Sequence, residues 1–427
     1  MLVSTIPLPS VARVGIANSL RFQFVIVLSL GVLLPAFVLA GLRVPGLLSN
    51  PAAINSLAAA AAAVMTLLLS LRRMEIYPGV NVSSLILPTL AAVYGYIFAV
   101  FAIFRLGHSN SILVASFLAT LSACYFIAAL NGRAGQRRFF VVPGGRAHRV
   151  RQLRQLRSSF LATPHLPQDG DLAVIADLHH DHRPEWERLL AEAAISGTPV
   201  YHYKQVWEAT TGMVRIEHLS ENSLGALIPG LGYRKIKRIA DVLAGIALVL
   251  PLLPFLLVIG LLIRLDSPGP ALFWQKRMGH RGRVFEVAKF RTMVTAGNGE
   301  SAAESVTLSD DERITRIGRF LRRTRIDELP QIINILRGEM SWIGPRPEAI
   351  GLSLLYEAEL PFYRYRHIVR PGITGWAQVN QGHVTDLGEI DHKLQFDFYY
   401  IKNFSYWIDL LILFRTIRVV LTGFGAK

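Results

Sequence analysis

Cysteine is almost absent: Cys124 is the only one in 427 residues. An intrachain disulfide and any cysteine-rich metal site are therefore excluded. Acidic residues are also scarce, 30 Asp plus Glu against 45 Lys plus Arg, which gives a formal net charge of +15. Charged residues make up only 18% of the chain while hydrophobic residues make up 52%, and mean hydropathy is +0.37. A chain this basic suits nucleic acid, an anionic membrane surface or an acidic substrate. No recognised nucleic-acid module is present, and the basic residues flank apolar runs or sit in Pro/Gly loops. Nucleic acid is set aside in favour of membrane and acidic substrate.

Four apolar runs fill the N-terminal third: Phe24–Leu42, Ala52–Leu71, Leu85–Phe104 and Ser111–Leu130. Each approaches the ~20 residues that cross a bilayer as a helix. Four in succession predict a membrane bundle over residues 1–132 rather than buried core helices. A cleaved signal peptide fits poorly, because a polar stretch precedes the first run and further spans follow. Arginines fall mostly on one side: Arg13 and Arg21, then Arg72 and Arg73, then a dense group from Arg133 and Arg137 through Arg157. The other side carries Arg43 and Arg105. Positive-inside bias then places both ends of the bundle on the cytoplasmic side.

Residues 133–232 read as a Rossmann-like α/β middle domain. Phe139-Phe140-Val141-Val142 predicts a strand ending in Pro143-Gly144-Gly145, Leu172–Ala176 a second and Pro199-Val200-Tyr201 a third, with helical spacing over Trp186–Ala194. The glycine pair lacks the full G-x-G-x-x-G fingerprint, so a structural or regulatory role is preferred over nucleotide binding. His179, His180 and His182 lie with Asp177 and Asp181. These are metal-ligand types, but adjacent histidines after a strand read first as a solvated loop.

Ile239–Ile263 is almost wholly apolar apart from Asp241. Pro251 and Pro254 fall near its centre, where proline removes a helix hydrogen bond and kinks the chain. Both flanks are basic, with Arg234, Lys235, Lys237 and Arg238 before and Arg264, Lys276, Arg277, Arg281 and Arg283 after. A re-entrant hairpin over 238–264 keeps both flanks on one side; a kinked transmembrane helix is the rival reading.

Arg325-Ile326-Asp327-Glu328-Leu329-Pro330 sets two carboxylates among arginines, with Arg322 and Arg323 before and Gly344-Pro345-Arg346-Pro347 after. Nearby positive charge keeps carboxylates ionised, and arginines grip phosphate oxygens in a bidentate fork. Asp327 is predicted to cap a helix running to about Leu336, with Pro330 tolerated in the first turn and Gly338 just past the end. Helix N-termini favour anions. Alone, the acid pair is compatible with simple capping of an exposed helix. Arg346 and Arg370 recur in Gly/Pro-framed loops, which fix arginine geometry and favour a phosphate role.

From Lys237 onward the chain resembles the bacterial sugar transferases, the monotopic phosphoglycosyl transferases that move a hexose-1-phosphate onto a polyprenyl phosphate. The resemblance rests on Phe273-Trp274-Gln275-Lys276-Arg277-Met278-Gly279, Lys289-Phe290-Arg291-Thr292-Met293, Asp327-Glu328-Leu329-Pro330-Gln331, Gly344-Pro345-Arg346-Pro347-Glu348, and Arg370-Pro371-Gly372-Ile373-Thr374-Gly375-Trp376-Ala377-Gln378-Val379-Asn380. The four spans and α/β middle match the large branch of that family, and Pro254 occupies the place of its hairpin-breaking proline. The resemblance implies an α/β monotopic catalytic domain over 233–427. It implies a UDP-sugar donor, with glucose or galactose foremost, and undecaprenyl phosphate as acceptor. Asp327 would be the nucleophile, forming a phosphoryl-aspartate with release of UMP, and Glu328 would ligate Mg²⁺. Lys289, Arg291 and Arg322 are phosphate-contact candidates by family position. Asp397 matches an acidic position near the substrate pocket, with a structural salt bridge as the equal alternative. Gln378 and Trp376 are nucleotide-contact candidates, with core packing the default for Trp376.

Two departures stand out. Arg325 replaces a usually small residue, and Gln381 separates Asn380 from Gly382. Ser405–Thr422 reads as an interfacial amphipathic helix. The non-catalytic N-terminal half makes a homodimer an expectation. A catalytically silent scaffold of a polysaccharide assembly complex is the alternative function.

Overall fold

A run of apolar residues with few β-branch-rich alternations folds as helix, and the N-terminal third does so four times. The computed structural model describes residues 19–41, 50–75, 77, 82–132, 138–154, 156–167, 172–216, 231–294, 313–381 and 387–422. It divides into two compact units, Met1–Gly212 and Met213–Lys427. Arg13, Arg43, Arg133, Arg137 and Gly382, used above, lie outside the described residues.

In the first unit, Arg21–Leu39, Pro51–Met74, Val82–Ile103 and Asn110–Leu130 are long and apolar enough to cross a membrane. Asn50 caps the second, its Oδ1 accepting from the Ala52 N–H at 2.9 Å ahead of Pro51 at the first helical position. Small residues let the helices approach closely: Ala60, Ala63 and Val64 are fully buried. The first helix carries a π-helical turn over Ser29–Leu33. There the Ser116 hydroxyl donates to the Gly31 carbonyl at 2.5 Å and meets the Tyr94 hydroxyl at 2.8 Å. Large apolar side chains point outward, among them Phe37, Tyr96 and Phe126, as lipid-facing positions do.

The same unit holds a four-stranded, all-parallel sheet in the order β2-β1-β3-β4. The strands are β1 (Arg138–Val141), β2 (Ser158–Phe160), β3 (Leu172–Ala176) and β4 (Val200–His202). Side chains alternate along β3: Ala173 and Ile175 join one core with Tyr203 and Val206, while Val174 and Ala176 join another with Trp186 and Leu189. Both faces are buried, which is why β3 reads as a continuous apolar run. β2 was not foreseen from the sequence.

In the second unit, the Leu231–Asp266 helix contains both Pro251 and Pro254 and is also long and apolar enough to span. Its two ends pack on the same unit. Near the start, Asp241 accepts from the Trp342 N–H at 3.4 Å and its carbonyl accepts from the Trp342 indole at 3.2 Å. The Arg238 guanidinium donates to the Ile335 and Leu336 carbonyls. Near the far end, Ile259 and Ile263 pack with Phe290 and Leu321. No residue from 246 to 258 is buried. An antiparallel ribbon follows, β5 (Leu272–Met278) against β6 (Val284–Phe290). β7 (Ser341–Ile343) then pairs in parallel with β8 (Gly372–Thr374).

The Tyr406–Thr422 helix divides its apolar residues between two faces. Ile408, Leu411 and Ile412 are in the core, whereas Leu413, Ile417 and Val420, spaced i, i+4, i+7, are exposed. The helix expected to be interfacial is thus also a core element.

Candidate active site

The acid pair is positioned by a sharp reversal of the chain. The Arg316–Thr324 helix starts at Thr315, whose Oγ1 accepts from the Gly318 N–H at 2.9 Å. It ends at Arg325, which has φ 61° and ψ 14°. An L-residue in this left-handed region is strained, and glycine, with no Cβ, fits there more easily. A 3₁₀ segment, Ile326–Gln331, follows with Asp327 and Glu328 in its first turn, and the α-helix begins only at Ile332. Asp327 is therefore not the cap of a continuous helix to Leu336, as the sequence predicted; Arg325 forms the junction on both sides. Gly338, at φ 85°, does end the helix. The buried Asn334 ties this segment to β6. Its Oδ1 accepts from the Ala288 N–H at 2.9 Å, and its Nδ2 donates to the Glu286 carbonyl at 2.6 Å. Lys289, next along β6, is thereby brought to the acid pair.

Glu328 is buried, and Arg346 grips both of its oxygens, Nη2 to Oε1 at 2.7 Å and Nη1 to Oε2 at 3.4 Å. Arg325 adds a contact at 3.5 Å. Burial alone would raise the Glu328 carboxyl; Arg346, with help from Lys289, overrides it and holds the group down at about 2. Asp327 behaves differently. Burial, reinforced by the Glu328 charge, raises its carboxyl to about 6 against the pull of Lys289, Arg322 and Arg346. The expectation that arginines keep both acids low holds for Glu328 and fails for Asp327, because desolvation outweighs them there. Asp327 Oδ1 is buried and has no hydrogen-bond partner among the described residues. The Lys289 ammonium is pushed down to about 7, first by burial and then by Arg277.

A second group of ions lies behind Arg346. Asp397 is fully buried and accepts from Arg366 at 2.8 and 3.1 Å, the structural salt bridge weighed for it from the sequence. Burial still pushes the Asp397 carboxyl up, with Arg366 opposing. Arg366 also donates to the Arg346 carbonyl at 3.0 Å and to the Tyr363 hydroxyl at 2.7 Å. Glu348 bonds Lys393 and lies 3.8 Å from Arg366. Burial would raise the Glu348 carboxyl, but Lys393 and Arg366 bring it down to about 2. Arg277 donates from β5 to the Pro347 carbonyl at 2.7 Å. Arg277, Glu348, Arg366 and Lys393 were not singled out in advance. For the first two the available signal was membership of the quoted motifs; Arg366 and Lys393 had none.

The other candidates are each tied to neighbours of their own. Arg291 is buried and spends its guanidinium on the Pro268 carbonyl at 2.5 Å, the Ser267 carbonyl at 2.7 Å and the Ser267 hydroxyl at 3.0 Å. Gly269 makes room, since a Cβ there would lie 2.0 Å from Arg291 Nη1. Arg322 donates to the Thr292 hydroxyl at 2.9 Å and is close enough to stabilise the Asp327 charge. Arg370 donates to the Gly338 carbonyl at 2.8 Å, at the opposite end of the 326–337 helical segment from the acids. Gln378 donates to the Ile373 carbonyl at 3.0 Å and leaves a buried Oε1 without a partner among the described residues. Trp376 is core, stacked on Tyr399 and covered by Arg415. Asn380 and Gln381 are held by Arg415 and by the Glu389 carbonyl respectively.

The family model described as "Bacterial sugar transferase" matches residues 232–423. The chain is 41% identical over 375 residues to a UDP-N-acetylgalactosamine-undecaprenyl-phosphate N-acetylgalactosaminephosphotransferase of Aeromonas hydrophila, covering 88% of each chain. It is 41% identical over 186 residues to the UDP-glucose:undecaprenyl-phosphate glucose-1-phosphate transferase of Escherichia coli (strain K12), 43% of this chain and 40% of that one. Over 192 residues it is 44% identical to an exopolysaccharide production protein of Rhizobium leguminosarum bv. phaseoli, 44% of this chain and 96% of that one. Kinship at this identity along most of both the Aeromonas chain and this one leaves a single assignment: the chain belongs to the bacterial sugar transferases, the polyprenyl-phosphate sugar-1-phosphate transferase family.

Proposed function

We propose that the chain transfers a sugar-1-phosphate from a UDP-sugar to undecaprenyl phosphate through a covalent phosphoryl-Asp327 intermediate. The observation that carries this is the unpartnered, buried Oδ1 of Asp327 beside Lys289 and the Arg346–Glu328 pair. Both Glu328 oxygens already accept from Arg346, so Asp327 Oδ1 is the carboxylate oxygen of the pair available to attack. In the first step Oδ1 bonds to the β-phosphorus, and the bond from that phosphorus to the bridging oxygen breaks. UMP departs with the bridging oxygen and its electron pair. In the second step an oxygen of the lipid phosphate bonds to the same phosphorus, the bond to Asp327 breaks, and the carboxylate returns. Lys289 and Arg322 stand where they can balance charge on the transferred phosphoryl group, the main service a site provides in such reactions.

The resemblance also implies Mg²⁺, which takes oxygen ligands. The donor set fits: the adjacent carboxylates offer only oxygens, and each Glu328 oxygen keeps a second lone pair beyond Arg346. Glu328 would hold the ion, which when bound would neutralise diphosphate charge.

The donor sugar most in keeping with the longest of these relationships is N-acetylgalactosamine, the sugar in the name of the Aeromonas relative. We place the four N-terminal helices across a bacterial inner membrane with the catalytic unit on its cytoplasmic face, and read the middle domain as Rossmann-like. The Leu231–Asp266 helix is best read as re-entrant: its arms at 238–245 and 256–263 both pack on the catalytic unit, while no residue from 246 to 255 is buried. Exposed Leu413, Ile417 and Val420 offer a further lipid contact.

Membranes carrying the protein, given undecaprenyl phosphate and labelled UDP-N-acetylgalactosamine, UDP-glucose or UDP-galactose, test the reading. One donor is expected to release UMP and give labelled lipid, and without lipid acceptor the Asp327 peptide should gain the mass of the sugar phosphate. Asp327→Asn is expected to lose UMP release and lipid product together. Full activity in that variant would remove the covalent route, and no product from any donor would favour the silent scaffold.

A further inference from the structure

The first unit holds a second constellation, unrelated to the acid pair. In a parallel sheet the carboxyl ends of the strands open into the crevice where ligands bind. At that end β3 runs into Asp177, His179 follows two residues later, and β4 ends on His202. One donor atom from each of the three lies within 4.8 Å of the other two. His179 Nδ1 and His202 Nε2 are 2.7 Å apart, and His202 Nε2 is 4.0 Å from Asp177 Oδ1. Two ring nitrogens this close share a single proton, and a cation can take that proton's place. Bonds of about 2.0–2.1 Å in a tetrahedral site set ligand atoms roughly 3.4 Å apart. The observed separations straddle that value.

The surroundings hold the carboxylate still and close one side. Asp177 is buried, and its Oδ2 accepts from the Arg146 N–H at 2.8 Å. Arg146 follows the Pro143-Gly144-Gly145 turn that leaves β1. Gly144 and Gly145 have φ of +138° and +51°. A Cβ on Gly145 would lie 2.4 Å from Asp177 Oδ2, and one on Gly144 would lie 2.8 Å from the His180 ring. The glycine pair therefore serves close approach of the turn to this cluster. His179 is exposed, which leaves a way in.

We infer that Asp177, His179 and His202 form a binding site for a divalent transition-metal ion of the zinc class, with a further position open to water or an anionic ligand. The donor set of two imidazoles and one carboxylate is one that zinc and its neighbours accept. The site stands independently of the transfer reaction.

The full chain, purified without a histidine tag in detergent and stripped with chelator, is titrated with Co²⁺ and then Zn²⁺. About one equivalent of Co²⁺ is expected to bind with visible absorption that Zn²⁺ abolishes, and dialysed protein should retain about one zinc per chain by elemental analysis. His179→Ala, which removes an exposed ring, and His202→Asn should each lose the absorption and drop zinc to background. His180→Ala and Glu328→Gln should keep both. Zinc should raise the thermal midpoint of the unmodified protein and leave that of His179→Ala unmoved. Absence of retained zinc in the unmodified protein, or unchanged retention in a folded His179→Ala, overturns the assignment.

Discussion

Arg366 holds Asp397 with two nitrogens, at 2.8 and 3.1 Å, and with one of them also holds the Arg346 carbonyl at 3.0 Å. Asp397 thus supports the loop that presents Arg346 to Glu328. Breaking a buried pair by removing one partner costs about 3–5 kcal/mol, because the other charge is left unpaired. Arg366→Met is expected to lower the unfolding midpoint in detergent markedly, and adding Asp397→Leu should recover part of the loss. If Asp397→Asn raised KM for the sugar nucleotide without touching the midpoint, its role would be substrate contact instead.

The pH profile should carry the signature of Asp327 and Lys289. Attack needs ionised Asp327, whose carboxyl is raised to about 6, so kcat/KM should rise with pH through that region. If the Lys289 cation is used, the rate should fall as pH passes its depressed value of about 7. The two groups interact, so the limbs belong to the pair rather than to either residue. Lys289 favours the charged form of Asp327. Lys289→Met is therefore expected to shift the acid limb to higher pH and flatten the alkaline one. A profile identical to that of the unmodified protein would dissociate both groups from the chemistry.

Glu328→Gln acts on the same limb with opposite sign. The Glu328 charge raises the Asp327 carboxyl, so neutralising it should move the acid limb to lower pH. The variant should also need more Mg²⁺ for half-maximal rate. An unchanged Mg²⁺ titration would take the ligand role from Glu328 and leave it as the partner of Arg346.

Arg325→Gly should be neutral to stabilising. The left-handed conformation at φ 61° costs an L-residue about 1 kcal/mol or more. The contact to Glu328 at 3.5 Å comes from a half-exposed side chain and contributes little. Chemical denaturation should show no loss of stability and a gain of up to ~1 kcal/mol. Arg325→Val should lose stability, since a β-branched residue tolerates this backbone least.

Much of this was legible in residue order. Membrane helices announce themselves by length and apolarity, and the observed bounds fall within a few residues of the predicted ones. The acid pair was found because charge opposite to a basic chain is conspicuous. Its environment was not legible. Counting nearby arginines says how a carboxylate is pulled, but burial pushes the other way, and at Asp327 burial wins. Arg366 escaped notice because its carboxylate partner is 31 residues away. His202 escaped for the same reason, joining His179 across 23 residues through strand pairing. β2 is three residues long with no apolar alternation to reveal it.

Arg291 closes a short mechanical circuit. Its guanidinium is fastened to the carbonyls where the long apolar helix exits, at Ser267 and Pro268, and its backbone follows Lys289 by two residues. A lipid layer too thin or too thick for an embedded helix strains that helix at its ends. Here such strain has a rigid path to a side chain beside Asp327. With that helix embedded as proposed above, the transfer rate is expected to depend on lipid thickness, and reconstitution in acyl chains of graded length would read that dependence.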